Sequence, residues 1–158
     1  MLTLGINVAH AALVAVDSAG ACTLDVEYER LLEALQLVTQ RRPGIMPAIV
    51  IFIDPGRPIP DARWRRRFAD ERGLAGPFRG AIVTDSVVHR GLMTAVDWIR
   101  SPAAEQRMLA FPTRASARAW LERECNRELE LLTRLYSEAR TLATLQSSST
   151  PPSRSTSR

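Results

Sequence analysis

A continuous apolar run near the middle of the chain, residues 48–53, most constrains the fold. All six side chains of this AIVIFI segment are apolar, and Asp54, Pro55 and Gly56 follow directly. A strand with one face in water alternates apolar and polar residues, whereas a strand covered on both faces is apolar throughout. Because turn residues end the run after six positions, a strand is favoured over a helix. The run therefore predicts the central strand of a mostly parallel sheet.

The rest of the core is predicted to alternate strands with helices. Two apolar runs at residues 2–8 and 12–16 flank a short turn and predict an N-terminal hairpin at the sheet edge. A helix begins at Asp25, and further short strands are predicted at 80–84 and 107–111. The predicted order is ββαβαβαβα, which is an α/β fold with a mixed sheet of four or five strands and packed helices.

The C-terminal part of the chain predicts one extended helix. Thr113 fits a helix N-cap, and apolar residues then recur at spacings of four and three up to Ala143, with no Pro or Gly between them. Such a helix has about 30 residues. The sequence therefore predicts a core domain at 1–124, a helical extension at 125–145 and a disordered tail at 146–158.

Charge and cysteine content bear on phosphate recognition and on metal or cofactor binding. All 21 basic residues are arginine and the formal net charge is +4. Since no lysine is used, an arginine cluster is weak support for phosphate recognition. Cys22 and Cys125 form no CxxC pair and have no histidine at ligand spacing, so neither a metal nor a cofactor is expected.

The location of the protein is predicted to be the cytoplasm. No stretch has the roughly 18 uncharged apolar residues that a membrane-spanning helix needs, so no membrane insertion is expected. The apolar residues 1–16 precede a small-residue sequence at 19–21 that is similar to a signal-peptidase site, but no basic segment precedes them. Secretion is therefore the weaker alternative.

Several segments resemble the STAS superfamily of bacterial SpoIIAA-like proteins. The resemblance is carried by residues 80–86, 90–92, 95–98, 111–112 and 119–121, and it extends over residues 1–124. It implies a non-enzymatic regulatory module that binds a protein partner, whose identity the sequence does not provide. Anti-sigma-factor antagonists of this superfamily carry a phosphorylatable Ser or Thr after the central strand. Residues 54–61 contain neither, so the resemblance implies no phosphorylation switch at that position.

A strand end and a helix start meet at Asp85 and Ser86. Free backbone N–H groups at a helix start attract anions, and His89 and Arg90 extend such a site. These four residues are candidates for binding a small anionic or apolar ligand. The simpler alternative is that Asp85 or Ser86 only caps a helix, with Val88 facing the core and His89 on the surface.

A second candidate site follows the central strand, at Asp54 and Arg57. Asp54 and Asp85 end neighbouring predicted strands, so the two carboxylates could share one edge of the sheet and exchange protons. Aspartates at strand ends are, however, common turn formers. Without a nucleophile motif, a P-loop or a GxGxxG sequence, a small uncharacterised enzyme is only a minor alternative.

An arginine-rich segment gives the alternative function, binding of RNA or single-stranded nucleic acid. The basic residues around Trp64 are Arg63, Arg65, Arg66 and Arg67. Arginines bind phosphates and an aromatic ring stacks on a base. Helical spacing instead sends Trp64 and Phe68 to the core and leaves the arginines in solvent, and this is the favoured interpretation.

The helical extension is too apolar to stand alone in water. Its candidate residues for self-association are Leu129, Leu132, Leu135, Tyr136 and Leu142. Burial of one leucine is worth about 1.5–3 kcal/mol, so several together could offset the cost of association. A homodimer is predicted, and the alternative is an extension folded back across its own sheet.

Overall fold

The computed structural model describes residues 1–18, 25–40, 44–58, 60–64, 66–68, 76–91 and 106–148. The strands are β1 (Leu2–Asn7), β2 (Ala12–Asp17), β3 (Ala48–Ile53), β4 (Phe78–Val83) and β5 (Gln106–Phe111). The long helices are α1 (Asp25–Gln40), α2 (Arg114–Cys125) and α3 (Glu130–Ser148), and shorter helical segments lie at 62–64, 66–68 and 87–91. The predicted α/β class is confirmed.

The five strands form one mixed sheet in the order β1-β2-β3-β4-β5. β1 pairs with β2 in antiparallel fashion, and every other neighbouring pair is parallel. A short turn at Val8–His10 joins β1 to β2, and the Asn7 side chain accepts a hydrogen bond from the His10 backbone N–H. The predicted central position of β3 and edge position of the hairpin are therefore confirmed.

Because the strands lie side by side in chain order, right-handed crossovers place the connecting helices on the same face of the sheet. On that face α1 packs Leu31, Leu35 and Val38 against Leu13 of β2 and Ile49 of β3. The opposite face receives α2 and α3, which follow the last strand. Both faces of the sheet are thereby covered, which explains why β3 carries no polar residue.

The predicted uninterrupted C-terminal helix is wrong. Asn126 adopts a left-handed conformation with φ of 49°, and its backbone N–H bonds back to the carbonyls of α2. Asparagine tolerates this conformation, so the chain turns without Pro or Gly. The Glu122 carboxylate then accepts a hydrogen bond from the Leu129 backbone N–H at 3.0 Å and stabilises the turn into α3. Residues 146–148 belong to α3 rather than to the predicted tail, and residues 149–158 lie outside the described residues.

α3 packs against the sheet of its own chain. Leu129, Leu132 and Leu135 are buried there, together with residues of β2 and β3. The Thr3 hydroxyl donates to the Ala139 carbonyl at 3.0 Å and ties α3 to β1. The structure thus shows the alternative in which the extension folds back across its own sheet. Three of the leucines predicted for self-association are already buried within the chain.

The turn between α2 and α3 is expected to make stability depend on acid pH. The backbone hydrogen bond from Leu129 and the side-chain bond from Arg118 lower the pKa of Glu122 below its usual value near 4.5. Since the folded-state pKa is lowered, the contribution of Glu122 is present above the unfolded-state pKa and is lost as pH falls through the folded-state pKa. Urea unfolding of a Glu122→Gln variant should show a smaller loss of stability between pH 5 and pH 3 than the parent chain. An equal loss in both would contradict this role.

Candidate ligand-binding groove

The carboxyl ends of β2, β3 and β4 meet at one edge of the sheet, where α/β folds commonly bind ligands. Asp17 ends β2, Asp54 follows β3 and Thr84 follows β4. The Asp54 backbone N–H donates to the Asp17 carbonyl at 3.0 Å, so these two segments are in direct contact. Two of the residues predicted from the sequence, Asp54 and Arg57, therefore lie at or next to this edge.

Asp54 is held by an arginine of the C-terminal helix. The Arg140 guanidinium donates two hydrogen bonds to its carboxylate, at 2.7 and 2.8 Å. This bonding, with a further hydrogen bond from Arg140 to the Tyr136 hydroxyl, raises the pKa of Arg140 above its ordinary value. Asp54 therefore fastens α3 to the end of β3, and a proton-exchanging pair with the exposed Asp85 is not supported.

Arg57 forms a buried ion pair instead of lining an open site. Its guanidinium lies 2.9 Å from the Asp17 carboxylate, and both side chains are almost completely removed from solvent. The pair joins the end of β2 to the turn after β3. Arg57 is therefore a structural residue, and its partner is 40 positions away in a sequence that gives no local sign of the contact.

The Asp85–Arg90 segment behaves mainly as a helix cap. The Ser86 hydroxyl accepts from the His89 backbone N–H at 3.3 Å, as an N-cap residue does. The Arg90 guanidinium donates to the Thr84 carbonyl at 2.8 Å, and Val88 is largely exposed rather than in the core as predicted. The structure therefore supports the capping interpretation of Ser86, but His89 is half-buried rather than on the surface as that interpretation predicted.

The arginine-rich segment does not present an aromatic ring for stacking. Trp64 is only 2% exposed and its indole N–H donates to Asp25 at 2.7 Å, while Tyr28 lies against its ring. Arg63 and Arg67 make ion pairs with Asp25 and Glu29 of α1. The core interpretation of Trp64 is confirmed, so base stacking by this residue is excluded. Arg66 is exposed, and Arg65 lies outside the described residues.

An open groove of about 450 Å³ lies on the face of the sheet opposite α1, between α2, α3 and β3. Its apolar lining residues are Val50, Phe52, Ala115, Ala117 and Leu132. Its polar lining residues are Thr113, Arg114, Arg118, Thr133 and Tyr136. Ligand sites of small molecules commonly have volumes of about 300–1,000 Å³ and the same mixture of apolar surface and a few polar groups.

Positive charge is concentrated on the α2 side of the groove. The Arg114 guanidinium lies 4.5 Å from the centre of the Tyr136 ring, and the two side chains form a cation–π contact. Arg118 donates to Glu122 at 2.8 Å, so its charge is already matched. Arg114 is exposed at the first turn of α2, where backbone N–H groups add to the positive potential. An anionic group is thus favoured next to Arg114.

Sequence reasoning missed this groove because its two walls come from one predicted helix. A straight helix cannot face itself, so Arg114 and Leu132 could not be brought together before the turn at Asn126 was known. The cap at Thr113 was the one available signal, and the structure confirms that its side chain accepts from the Ser116 backbone N–H.

The fold and the groove define the chain as an α/β sandwich with a positively charged groove under its C-terminal helices. Comparison with models of known protein families, with curated proteins and with solved structures found no match. Among the described residues, no group of three or more His, Cys, Asp or Glu side chains is placed to hold a metal ion. No helix in that part of the chain has the length and apolar character needed to span a membrane.

Proposed function

We propose that this chain is a cytoplasmic, non-enzymatic regulatory module of STAS-like type that binds a small ligand in the groove between α2 and α3. The ligand has an apolar body and one anionic group. The observation that carries this proposal is the groove itself, which combines an apolar lining with the exposed guanidinium of Arg114.

The apolar part of the groove supports an apolar ligand body. Phe52 and Leu132 line it from opposite elements, and the Phe52 ring also contacts Tyr136 at 4.3 Å between ring centres. Burial of apolar ligand surface contributes about 25 cal/mol per Å², whereas a purely ionic ligand would gain little from such walls. An apolar body with a single charge uses both features of the groove.

The charged groups at the sheet edge support binding rather than catalysis. Asp17 and Asp54 are engaged by Arg57 and Arg140, and neither carboxylate lines the groove. A general acid or base needs a group that reaches the substrate and exchanges its proton near neutral pH. A regulatory role follows if an occupied groove changes how α2 and α3 sit on the sheet.

An amphipathic fluorescent anion tests the groove. Titration of the full chain with 1-anilinonaphthalene-8-sulfonate should give saturable binding, and Arg114→Gln should weaken it about tenfold because one charge-assisted contact is lost. The neutral analogue N-phenyl-1-naphthylamine should bind both proteins equally.

Arg123→Gln provides the matched control, since Arg123 is exposed on the same helix but does not line the groove. It should bind the sulfonate like the parent chain, and both variants should keep a cooperative thermal transition. Absence of saturable binding, or equal weakening in Arg114→Gln and Arg123→Gln, would reject the groove as the site.

A further inference from the structure

β1 is an edge strand with hydrogen-bonding groups that face away from the sheet. The Ser18 backbone N–H donates to the Met1 carbonyl, so the backbone groups of Met1 and every second residue after it face β2. The backbone N–H and C=O groups of Leu2, Leu4 and Ile6 therefore point away from the sheet. Glu27 accepts a hydrogen bond from the Leu2 N–H at 3.0 Å, whereas the outward N–H groups of Leu4 and Ile6 have no partner among the described residues.

Exposed apolar side chains collect around this edge. Four of the six large exposed apolar residues of the described chain belong to β1 or to the helices beside it: Ile6 (39%), Val26 (51%), Leu142 (48%) and Leu145 (62%). A depression of about 220 Å³ at the same place is lined by Leu2, Thr3, Leu4, Glu27, Arg30 and Leu142. The edge thus carries apolar surface on both of its faces, which is the composition of an interface rather than of a solvated rim.

The side of α1 next to β1 has a self-complementary pattern. At 100° per residue, Val26, Arg30, Glu33 and Leu37 share the side of the helix that lines the depression. Two such helices side by side in antiparallel orientation, centred between residues 31 and 32, pair Val26 with Leu37 and Arg30 with Glu33. Arg30 and Glu33 are both exposed, and neither has an ion pair among the described residues.

A single twofold axis can relate both the α1 helices and the β1 strands of two copies. The bond from Leu2 to Glu27 fixes α1 against β1, and α1 runs back along β2, which is the direction of β1. From Glu27 to the helix centre is about 7 Å, and two strand residues, from Leu2 to Leu4, also span about 7 Å. One twofold axis at Leu4 therefore suits both elements, which is the condition for a closed dimer.

We infer that two copies of this chain associate through β1 in antiparallel orientation and form a continuous ten-stranded sheet. Leu4 exchanges backbone hydrogen bonds with Leu4 of the partner subunit, and the Ile6 N–H donates to the partner's Leu2 carbonyl. Glu27 keeps its bond to the Leu2 N–H in this arrangement. Arg30 pairs with Glu33 of the partner subunit, and the pair repeats across the axis. The sequence predicted a different interface, on α3. Of the α3 residues named for it, only Leu142 lies at the β1 edge.

Charge reversal tests the interface through the chain mass in solution. Sedimentation equilibrium of the full chain should give a dimer at micromolar concentration. Arg30→Glu and Glu33→Arg each bring like charges together across the axis, so each should weaken dimerisation at least about tenfold. The double variant with both substitutions exchanges the signs and should restore it. The Ile6→Pro variant loses an outward N–H and the exposed Ile6 side chain but keeps the backbone bonds of β1 to β2, so it should also be weakened.

Arg66→Glu makes the same charge change on an exposed residue of the segment between β3 and β4, outside the proposed interface, and should leave the dimer intact. Circular dichroism should show that all variants remain folded. A monomer at 100 µM for the parent chain would overturn the inference. A dimer that withstands both single reversals, or one that the double variant does not restore, would overturn it equally.

Discussion

Replacing Arg57 with Met is expected to lower the free energy of unfolding by about 3–5 kcal/mol, because it breaks a buried ion pair from one side. The Arg57 side chain is 6% exposed and that of Asp17 is 11% exposed, with 2.9 Å between the guanidinium and the carboxylate. Removing the arginine leaves the Asp17 charge in the protein interior, 3.9 Å from the terminal ammonium of Met1. The remaining ammonium cannot replace the planar guanidinium at that distance.

Arg134→Met is the matched control for this substitution. Arg134 and Glu138 form an ion pair on the exposed side of α3, with 3.9 Å between the charged atoms, and such pairs contribute about 1 kcal/mol or less. Urea unfolding of both variants gives the comparison. Adding Asp17→Asn to Arg57→Met should recover part of the lost stability, because the Asp17 charge then no longer remains buried without its guanidinium partner. A loss below about 1 kcal/mol for Arg57→Met would show that the pair does not stabilise the fold.

Gly5→Val is expected to cost about 2–3 kcal/mol, because α3 lies directly on this residue. A Cβ atom at Gly5 would lie 2.9 Å from the Leu135 carbonyl oxygen and 3.2 Å from the Leu135 Cβ. The first contact is with backbone, which cannot rotate away, so α3 must move off the sheet. Valine otherwise favours a strand, and a loss of stability therefore isolates the close approach of the helix.

Gly91→Ala is the contrasting substitution, since a Cβ atom there meets no other atom within 4 Å. It should leave the melting temperature unchanged or raise it slightly through helix propensity. If Gly5→Val melted like the parent chain, α3 would not be seated on β1 as described.

The strands could be predicted from sequence because their signal is local. The run at Ala48–Ile53 has the same bounds in the structure, since its composition and the turn residues after it both lie within a few positions. The other four strands differ from their predicted bounds by at most two residues at either end. Helix α1 likewise begins at Asp25, where the sequence predicted a helix start, and the apolar spacing that predicted it lies within the same segment.

The C-terminal turn could not be predicted because its cause is not a local preference. Asn126 is acceptable in a helix, and the apolar spacing continues across it. The turn is held by contacts with distant parts of the chain: the Arg127 guanidinium donates to the carbonyls of His10 and Met46, at 2.6 and 3.1 Å. Burial of the α3 leucines on the sheet stabilises the turn further. One continuous helix would lose both the Arg127 hydrogen bonds and this burial.

The candidate site shows the same division between local and distant information. Their position at a strand end made Asp54 and Arg57 candidate site residues. Their partners, Arg140 and Asp17, lie 86 and 40 positions away in the chain. Charge and spacing within a segment do not indicate which distant residue meets it. Trp64 was placed correctly in the core because its spacing from Phe68 on one helix face is local.

The placement of α3 on β1 gives this protein contacts between residues that are very far apart in the chain. The hydrogen bond from Thr3 to Ala139 joins residues 136 positions apart, and contacts of such high sequence separation form late because the loop they close is costly in entropy. We expect the sheet and α1 to form from residues 1–111 first, so that Val14 and Val50 on the other face stay exposed until α3 packs against them. A growing or truncated chain that lacks residues 130–148 therefore exposes an apolar sheet face, and self-aggregation of that intermediate competes with completion of the fold.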